Sequence, residues 1–239
     1  MSFVSKAKHF VDRLKGFNYD DPRYNGEYNF IRNNIKQWKV VFDVGGHIGN
    51  YSNYVLTAKP TIQLHTFEPW RGNFQIIKER LSNLHLNNAG LSDQPGELEM
   101  NIYWDDGGVN SFYLDEHYKE MSEARGQFRI EKVQLTTIDE YVKANNISQI
   151  DMLKIDVEGH ETKVLNGAAN FIHAGKIRNI QFEYGNFWKL SNSTLKYVFD
   201  MLIANHFTIY RLSPFGKIPV HYKPELENYK QCNYLAVLS

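Results

Sequence analysis

The run Lys154-Ile155-Asp156-Val157-Glu158-Gly159-His160-Glu161 sets three carboxylates and an imidazole within six residues. Crowded carboxylates disfavour one another's charge, so such a cluster holds a proton acceptor poised near neutral pH. The same oxygens, with one ring nitrogen, suit a divalent cation. Asp156 and His160 are the candidate bases. Glu158, and Glu183 from Ile180-Gln181-Phe182-Glu183-Tyr184, are candidates for orienting a substrate. If a metal is held, its candidate ligands are Asp156, Glu158 and Glu183. Glu161 reads as a stabiliser of the following helix N-terminus.

A second constellation is Val41-Phe42-Asp43-Val44-Gly45-Gly46-His47-Ile48-Gly49-Asn50-Tyr51-Ser52, an apolar run that feeds a glycine-rich turn. Glycines let the backbone approach a ligand, and N–H groups at a helix start favour an anionic group. The order Gly-Gly-x-x-Gly after Asp-x differs from the dinucleotide fingerprint. A carboxylate at position 43 would repel a pyrophosphate, whereas it suits an ammonium or a sulfonium. S-adenosylmethionine carries both. Glu68 follows 25 residues later, in His65-Thr66-Phe67-Glu68-Pro69. An acid at that spacing accepts hydrogen bonds from ribose hydroxyls, and Pro69 restricts its conformation. Asn88, Ser92 and Asp93 lie at the polar end of the next strand, where an adenine edge would fall. The candidate cofactor set is therefore Asp43, Gly45, Gly46, His47, Gly49, Asn50, Ser52, Glu68, Pro69, Asn88, Ser92 and Asp93.

Both constellations need strands ending at one sheet edge. The hydrophobic pattern supplies strands at 40–44, 62–67, 84–89, 152–157 and 177–183. Helices fall between them at 48–58, 71–83 and 194–205, with one helix or two over 161–174. Alternation of this kind means a parallel sheet covered on both faces. Runs at 208–212 and 234–238 have no helix between them and read as a closing antiparallel hairpin. Residues 92–137 interrupt the pattern with strands at 98–103, 110–113 and 130–135 and a polar helix near 115–125. Thr137-Ile138-Asp139-Glu140 is a capping box. Amphipathic helices at 2–15 and 27–37 precede the first strand. The expected organisation is a helical appendage over 1–37 and one α/β domain over 38–239.

The chain has 239 residues, with 27 basic and 27 acidic side chains. Zero net charge excludes a broad nucleic-acid footprint. The lone Cys232 excludes an internal disulfide and a thiolate zinc site. No apolar run is long enough for a membrane span, and the N-terminus lacks the apolar centre of a signal peptide. A cytoplasmic location is expected. The balance is uneven: residues 101–175 carry 7 basic and 13 acidic groups, a net of −6. That predicts a negative cleft suited to a cationic cofactor and a neutral, hydroxyl-rich acceptor.

The blocks Asp43 to Ser52, Phe67-Glu68-Pro69, Asn88 to Asp93 with Gly96-Glu97, and Met152 to Glu161 with Val164-Leu165-Asn166-Gly167 resemble the FkbM-type family of S-adenosylmethionine-dependent methyltransferases. The resemblance covers about residues 38–185. It implies the seven-stranded, Rossmann-like class I methyltransferase fold and O-methylation of a sugar, glycan or related natural product. It also implies cofactor contacts from Asp43, Gly45, Gly49 and Glu68, with the reaction site along Asp156 to His160. Gly46 departs from the pattern, since the family commonly has Ala there. Metal dependence, the acceptor and the oligomeric state stay open. Two rival readings are an NAD(P)-dependent oxidoreductase, which the Asp43 loop disfavours, and a non-catalytic cofactor- or nucleotide-binding module. The second rival leaves the Asp156–Glu161 cluster without a task.

Overall fold

In the computed structural model, residues 12, 14–17, 21–105 and 108–239 are described. The expected helix over 2–15, apart from residues 12, 14 and 15, together with residues 18–20, Asp106 and Gly107, lies outside them.

The main sheet contains β1 (Val40–Val44), β2 (Gln63–Phe67), β3 (His85–Asn87), β7 (Met152–Ile155), β8 (Asn179–Tyr184), β9 (Phe207–Ser213), β10 (Gly216–Pro219) and β11 (Cys232–Leu238). Their order across the sheet is β10-β9-β11-β8-β7-β1-β2-β3. The five from β3 to β8 are parallel, and β11, β9 and β10 join antiparallel. The fold is the expected class I methyltransferase fold with its C-terminal antiparallel hairpin. An eighth strand, β10, is added at the edge. Its sequence, Gly-Lys-Ile-Pro, carries no strand signal, and a proline is tolerated only at such an edge.

A second, three-stranded sheet pairs β4 (Gly90–Leu91) and β5 (Gly96–Ile102) with β6 (Arg129–Thr136). The strand expected at 110–113 does not form, and only Ser111 bridges to Asn101. Polar side chains there take the backbone partners a ladder would use. Asn110 Oδ1 accepts from the Tyr103 N–H at 3.0 Å, and Ser111 Oγ donates to the Glu158 carbonyl at 2.7 Å.

Apolar faces fix which side of each strand meets which helix. Phe42, Phe67, Leu153, Ile155, Ile180 and Phe182 pack into the larger core. That core also holds residues of α5 (Ile138–Ala144), α6 (Glu161–Asn166), α7 (Ala169–His173) and α9 (Leu195–Ala204). Val41, Leu64 and Met152 lie on the other face with α1 (Glu27–Asn34) and α2 (Asn50–Ala58). Residues 161–174 form two short helices because the chain breaks at Gly167-Ala168. The remaining helices are α3 (Arg71–Arg80), α4 (Glu116–Glu123) and α8 (Phe187–Leu190). Among the described residues, no helix is long and apolar enough to cross a membrane.

One step beyond the Val41–Leu64–Met152 row, polar residues cross the sheet side by side. Asp43 is in register with Thr66 and Lys154, and Lys154 with Gln181. All four are buried. Ser52 Oγ, from α2, donates to Asp43 Oδ2 at 2.6 Å and lies 2.7 Å from Thr66 Oγ1.

This row accounts for Gly46. A Cβ at that position would lie 2.6 Å from Thr66 Cγ2 and 3.1 Å from Ile77 Cδ1. Overpacking of this kind costs about 1–3 kcal/mol. Gly46→Ala alone is expected to lower the melting temperature. Thr66→Ser keeps the hydroxyl and removes the methyl, so it should recover most of that loss in the double variant. Simple additivity in a thermal-melt cycle would contradict this account.

Candidate active site

A cavity of about 800 Å³ opens where β1, β2, β7 and β8 end. One half is lined by Gly45, His47, Glu68, Pro69, Asn73 and Gly90–Leu91. The other is lined by Tyr118, Asp156, Glu158, Glu183, Asn186 and Phe187, with the segment Asn228–Gln231. Met100, Val109, Asn110 and Phe112, from the smaller sheet and its loop, contribute further wall. Four carboxylates line it, Glu68, Asp156, Glu158 and Glu183, against Lys230 and His47. Lys230 is itself paired with Asp12 at 3.0 Å. The lining is rich in acidic side chains.

The strand-end acids come together as the sequence suggested. Oxygens of Asp156, Glu158 and Glu183 lie within 4.8 Å of one another. Asp156 and Glu158 sit in the turn after β7, where Glu158 adopts φ 51 and Gly159 φ 98. Glu183 is the penultimate residue of β8, and Gln231 Nε2 donates to its Oε1 at 3.1 Å. Burial pushes the Glu183 carboxyl well above the ordinary range, and the charges of Asp156 and Glu158 push it further. The group can hold a divalent cation or share a proton.

Glu68 is almost fully buried and accepts from the His47 N–H at 2.8 Å and the Trp70 N–H at 3.0 Å. These bonds fix its carboxyl at the cavity wall. Burial raises it to about 8 in spite of both donors.

Several expected residues stand elsewhere. Asp43 lies beneath the glycine loop, bonded to Ser52 and 3.4 Å from Lys154 Nζ, and does not line the cavity. Gly46, Gly49, Asn50 and Ser52 shape the loop and helix behind it. Asn88 Nδ2 braces the turn, donating to the Glu68 and Pro69 carbonyls at 3.0 Å each. Ser92 and Asp93 turn away because β4 leaves the main sheet for the smaller one. Ser92 Oγ contacts His160 Nε2 at 2.9 Å, and Asp93 pairs with Lys163 at 2.7 Å. Gly90 and Leu91 take the wall position instead.

His160 also leaves the cavity. It is buried, with Nδ1 3.1 Å from the Tyr113 hydroxyl and Nε2 on Ser92. Burial lowers its pKa to about 4. It therefore stays neutral, with both ring nitrogens occupied away from the cavity, which sets it apart from the expected base position. Glu161 accepts from the Val157 N–H at 3.0 Å, in the first turn of α6 as expected.

Lys154 is the residue that sequence reasoning missed, although it stands in the signature run. Its ammonium is 3.4 Å from Asp43 Oδ1, 3.4 Å from Asp156 Oδ2 and 3.2 Å from the Gly45 carbonyl. Burial works against its charge, but Asp156, Asp43, Glu27 and Glu183 outweigh that and hold it charged. A lysine inside an otherwise apolar strand was the available signal. Asn73 was also missed; its Oδ1, like Asn110 Nδ2 of the polar loop 105–111 that the sequence offered for the substrate, is buried without a hydrogen-bond partner.

The match to known proteins agrees with this geometry. Residues 43–209 match the family described as the methyltransferase FkbM domain, and the chain belongs to that family. It is 26% identical over 158 residues to the 31-O-demethyl-FK506 methyltransferase FkbM of Streptomyces tacrolimicus, covering 56% of this chain and 60% of that one. It is 22% identical over 156 residues to the 2-O-methyltransferase NoeI of Sinorhizobium fredii, covering 62% and 63%. The crystal structure of a methyltransferase FkbM from Methylobacillus flagellatus superposes with a TM-score of 0.51 at 16% identity, covering 83% of this chain and 43% of that one. The matches to these two curated relatives span about three fifths of each relative's length.

The raised carboxyls make stability depend on pH. Folding favours protonated Glu68 and Glu161, both raised to about 8, and Glu27, raised to about 7. That stabilisation is complete below the unfolded value near 4.5 and disappears as pH rises through the folded values. His65 and His160, both lowered to about 4, act oppositely and only below about 6.5. The melting temperature of the ligand-free protein should therefore fall between about pH 6.5 and 8. Glu68→Gln should make that fall shallower; an unchanged slope would contradict the assignment.

Proposed function

We propose that this chain is an S-adenosylmethionine-dependent methyltransferase acting on a hydroxyl of a small-molecule, sugar or glycan acceptor. One observation carries the reading: a single cavity has Glu68 at one end and the Asp156–Glu158–Glu183 group at the other, with Lys154 beneath both halves. Two relatives named for O-methylation support the choice of oxygen.

When bound, the cofactor supplies an electrophilic methyl on a sulfonium. The fixed Glu68 carboxyl would take the ribose hydroxyls. Asn73, on α3 beside Glu68 and Pro69, offers a buried acceptor for the exocyclic amine of the base. Asn110 suits this less well, because its Oδ1 already accepts the Tyr103 N–H and its unpartnered end is a donor. At the far end, Asp156 would take the acceptor's hydroxyl proton as the new bond forms. A positioned base of this kind contributes roughly 10²–10⁴-fold. Glu183, kept protonated by burial and its two acidic neighbours, would donate a hydrogen bond that orients the acceptor or Asp156.

The 4.8 Å grouping also favours a second use of the same oxygens, a divalent cation that holds two acceptor hydroxyls. Turnover unchanged after EDTA treatment selects the base reading. Loss of turnover restored by Mg²⁺ or Ca²⁺ selects the cation.

Two outcomes follow. Asp156→Asn should lower methyl transfer from labelled cofactor at least about 10²-fold, a larger factor than any loss of S-adenosylhomocysteine affinity through Lys154. Full turnover would remove Asp156 from the reaction. Asn73→Ala should weaken S-adenosylhomocysteine about tenfold, the worth of about one buried hydrogen bond. It should leave the 6-oxo analogue, S-inosylhomocysteine, nearly unaffected. Equal losses for both ligands would deny Asn73 that role.

A further inference from the structure

Residues 108–112 cross the cavity at its Glu68 end. On one side, a Cβ at Gly108 would lie 3.9 Å from the His47 ring, and the His47 N–H is one of the two donors to Glu68. On the other, a Cβ at Gly90 would lie 3.5 Å from Phe112 Cζ and 3.5 Å from Pro69 Cβ. Asn110 stands between these two contacts and lines the cavity. Its place is fixed by its neighbour. The Ser111 N–H donates to the Asn101 carbonyl at 3.2 Å, and the Ser111 carbonyl accepts the Asn101 N–H at 2.8 Å. Ser111 Oγ holds the Glu158 carbonyl at 2.7 Å.

Asn110 is more than nine-tenths buried, yet only one end of its amide is satisfied. The Tyr103 N–H donates to Oδ1 at 3.0 Å, which settles the orientation of the group. The oxygen faces the backbone, and Nδ2, which can only donate, is left buried without a partner. An unmet buried donor is costly, so one on a cavity wall marks a place where a ligand supplies the acceptor.

The surroundings select the kind of acceptor. Leu91, Met100 and Phe112 make this part of the wall apolar, which suits a flat ring with an acceptor on its edge. On the reading above, Glu68 takes the ribose and the acids at the far end face the reacting methyl. The base is the part of the cofactor left for this wall. Adenine offers one donor on its edge, the exocyclic amine, and three acceptors, the ring nitrogens of its imine type. Asn73 brings an unpartnered acceptor to the cavity and Asn110 an unpartnered donor.

We infer that Asn110 reads the base: its Nδ2 donates to a ring nitrogen of adenine, the counterpart of Asn73 at the exocyclic amine. The inference rests on the cofactor assignment made above.

Calorimetric titration with S-adenosylhomocysteine and its 1-deaza, 3-deaza and 7-deaza analogues tests it, because each analogue replaces one ring nitrogen by C–H. One analogue should bind the unsubstituted protein about tenfold more weakly than S-adenosylhomocysteine, the worth of about one buried hydrogen bond. In Asn110→Ala that gap should close. In Asn73→Ala it should persist, since Asn73 meets a different atom. A merely structural Asn110 would weaken all four ligands by one factor and keep the gap in Asn110→Ala, which overturns the inference. Equal binding of all four by the unsubstituted protein overturns it as well. Should Asn110→Ala not fold, Asn110→Asp keeps an acceptor for the Tyr103 N–H, and its ionised form has no donor, so the gap should close there too. Failure of the unsubstituted protein to bind S-adenosylhomocysteine overturns the cofactor assignment and this inference together. Normal binding with a gap that survives removal of the Asn110 donor overturns this inference alone.

Discussion

The structure is organised around one buried ammonium. Lys154 sits in the middle of the sheet with Asp43 and Asp156 each at 3.4 Å and the Gly45 carbonyl at 3.2 Å. Removing one member of a buried charge pair typically costs about 3–5 kcal/mol, because the other is left uncompensated. The residues around Lys154 are therefore constrained as a set. Asp43 must be an acid, Ser52 must cap its second oxygen, and Thr66 must stand beside Ser52. Gly46 must lack a side chain because Thr66 occupies the space.

That constraint connects the two ends of the cavity. The loop at Gly45 and the turn at Asp156 belong to different strands, yet one side chain touches both. A shift of the ammonium alters loop and acid together. The remaining parts fix positions around this pair. His160, Tyr113 and Ser111 hold the covering loop to the β7 turn. Asn88 holds the turn after β2. On the proposed reading, these contacts place a cofactor at the Glu68 end and an acceptor at the acid end without large rearrangement.

The strand–helix alternation and the strand-end acids were legible because both leave local patterns. Asp156, Glu158 and Glu183 could be grouped from sequence, since parallel strands deliver their ends to one edge. What escaped depends on long-range packing. His160 reads as a base in one dimension, but Ser92, 68 residues away, and Tyr113, 47 residues away, occupy its ring nitrogens. Ser92 and Asp93 looked like cofactor contacts because nothing local shows that Gly90–Leu91 changes sheets. Asp43 reads as a surface carboxylate at the loop mouth, whereas its in-register neighbour Lys154 draws it inside. Glu27 carries no local signal at all. It is buried because Gly26 can pass against a strand that lies nearly 190 residues further along the chain.

A crystal structure with bound S-adenosylhomocysteine tests this account most directly. It should show the ribose hydroxyls on the Glu68 carboxyl and the sulfur facing the Asp156–Glu158–Glu183 group, with Lys154 still bridging Gly45 and Asp156. A ligand whose ribose avoids Glu68, or whose sulfur points away from the three acids, would contradict it.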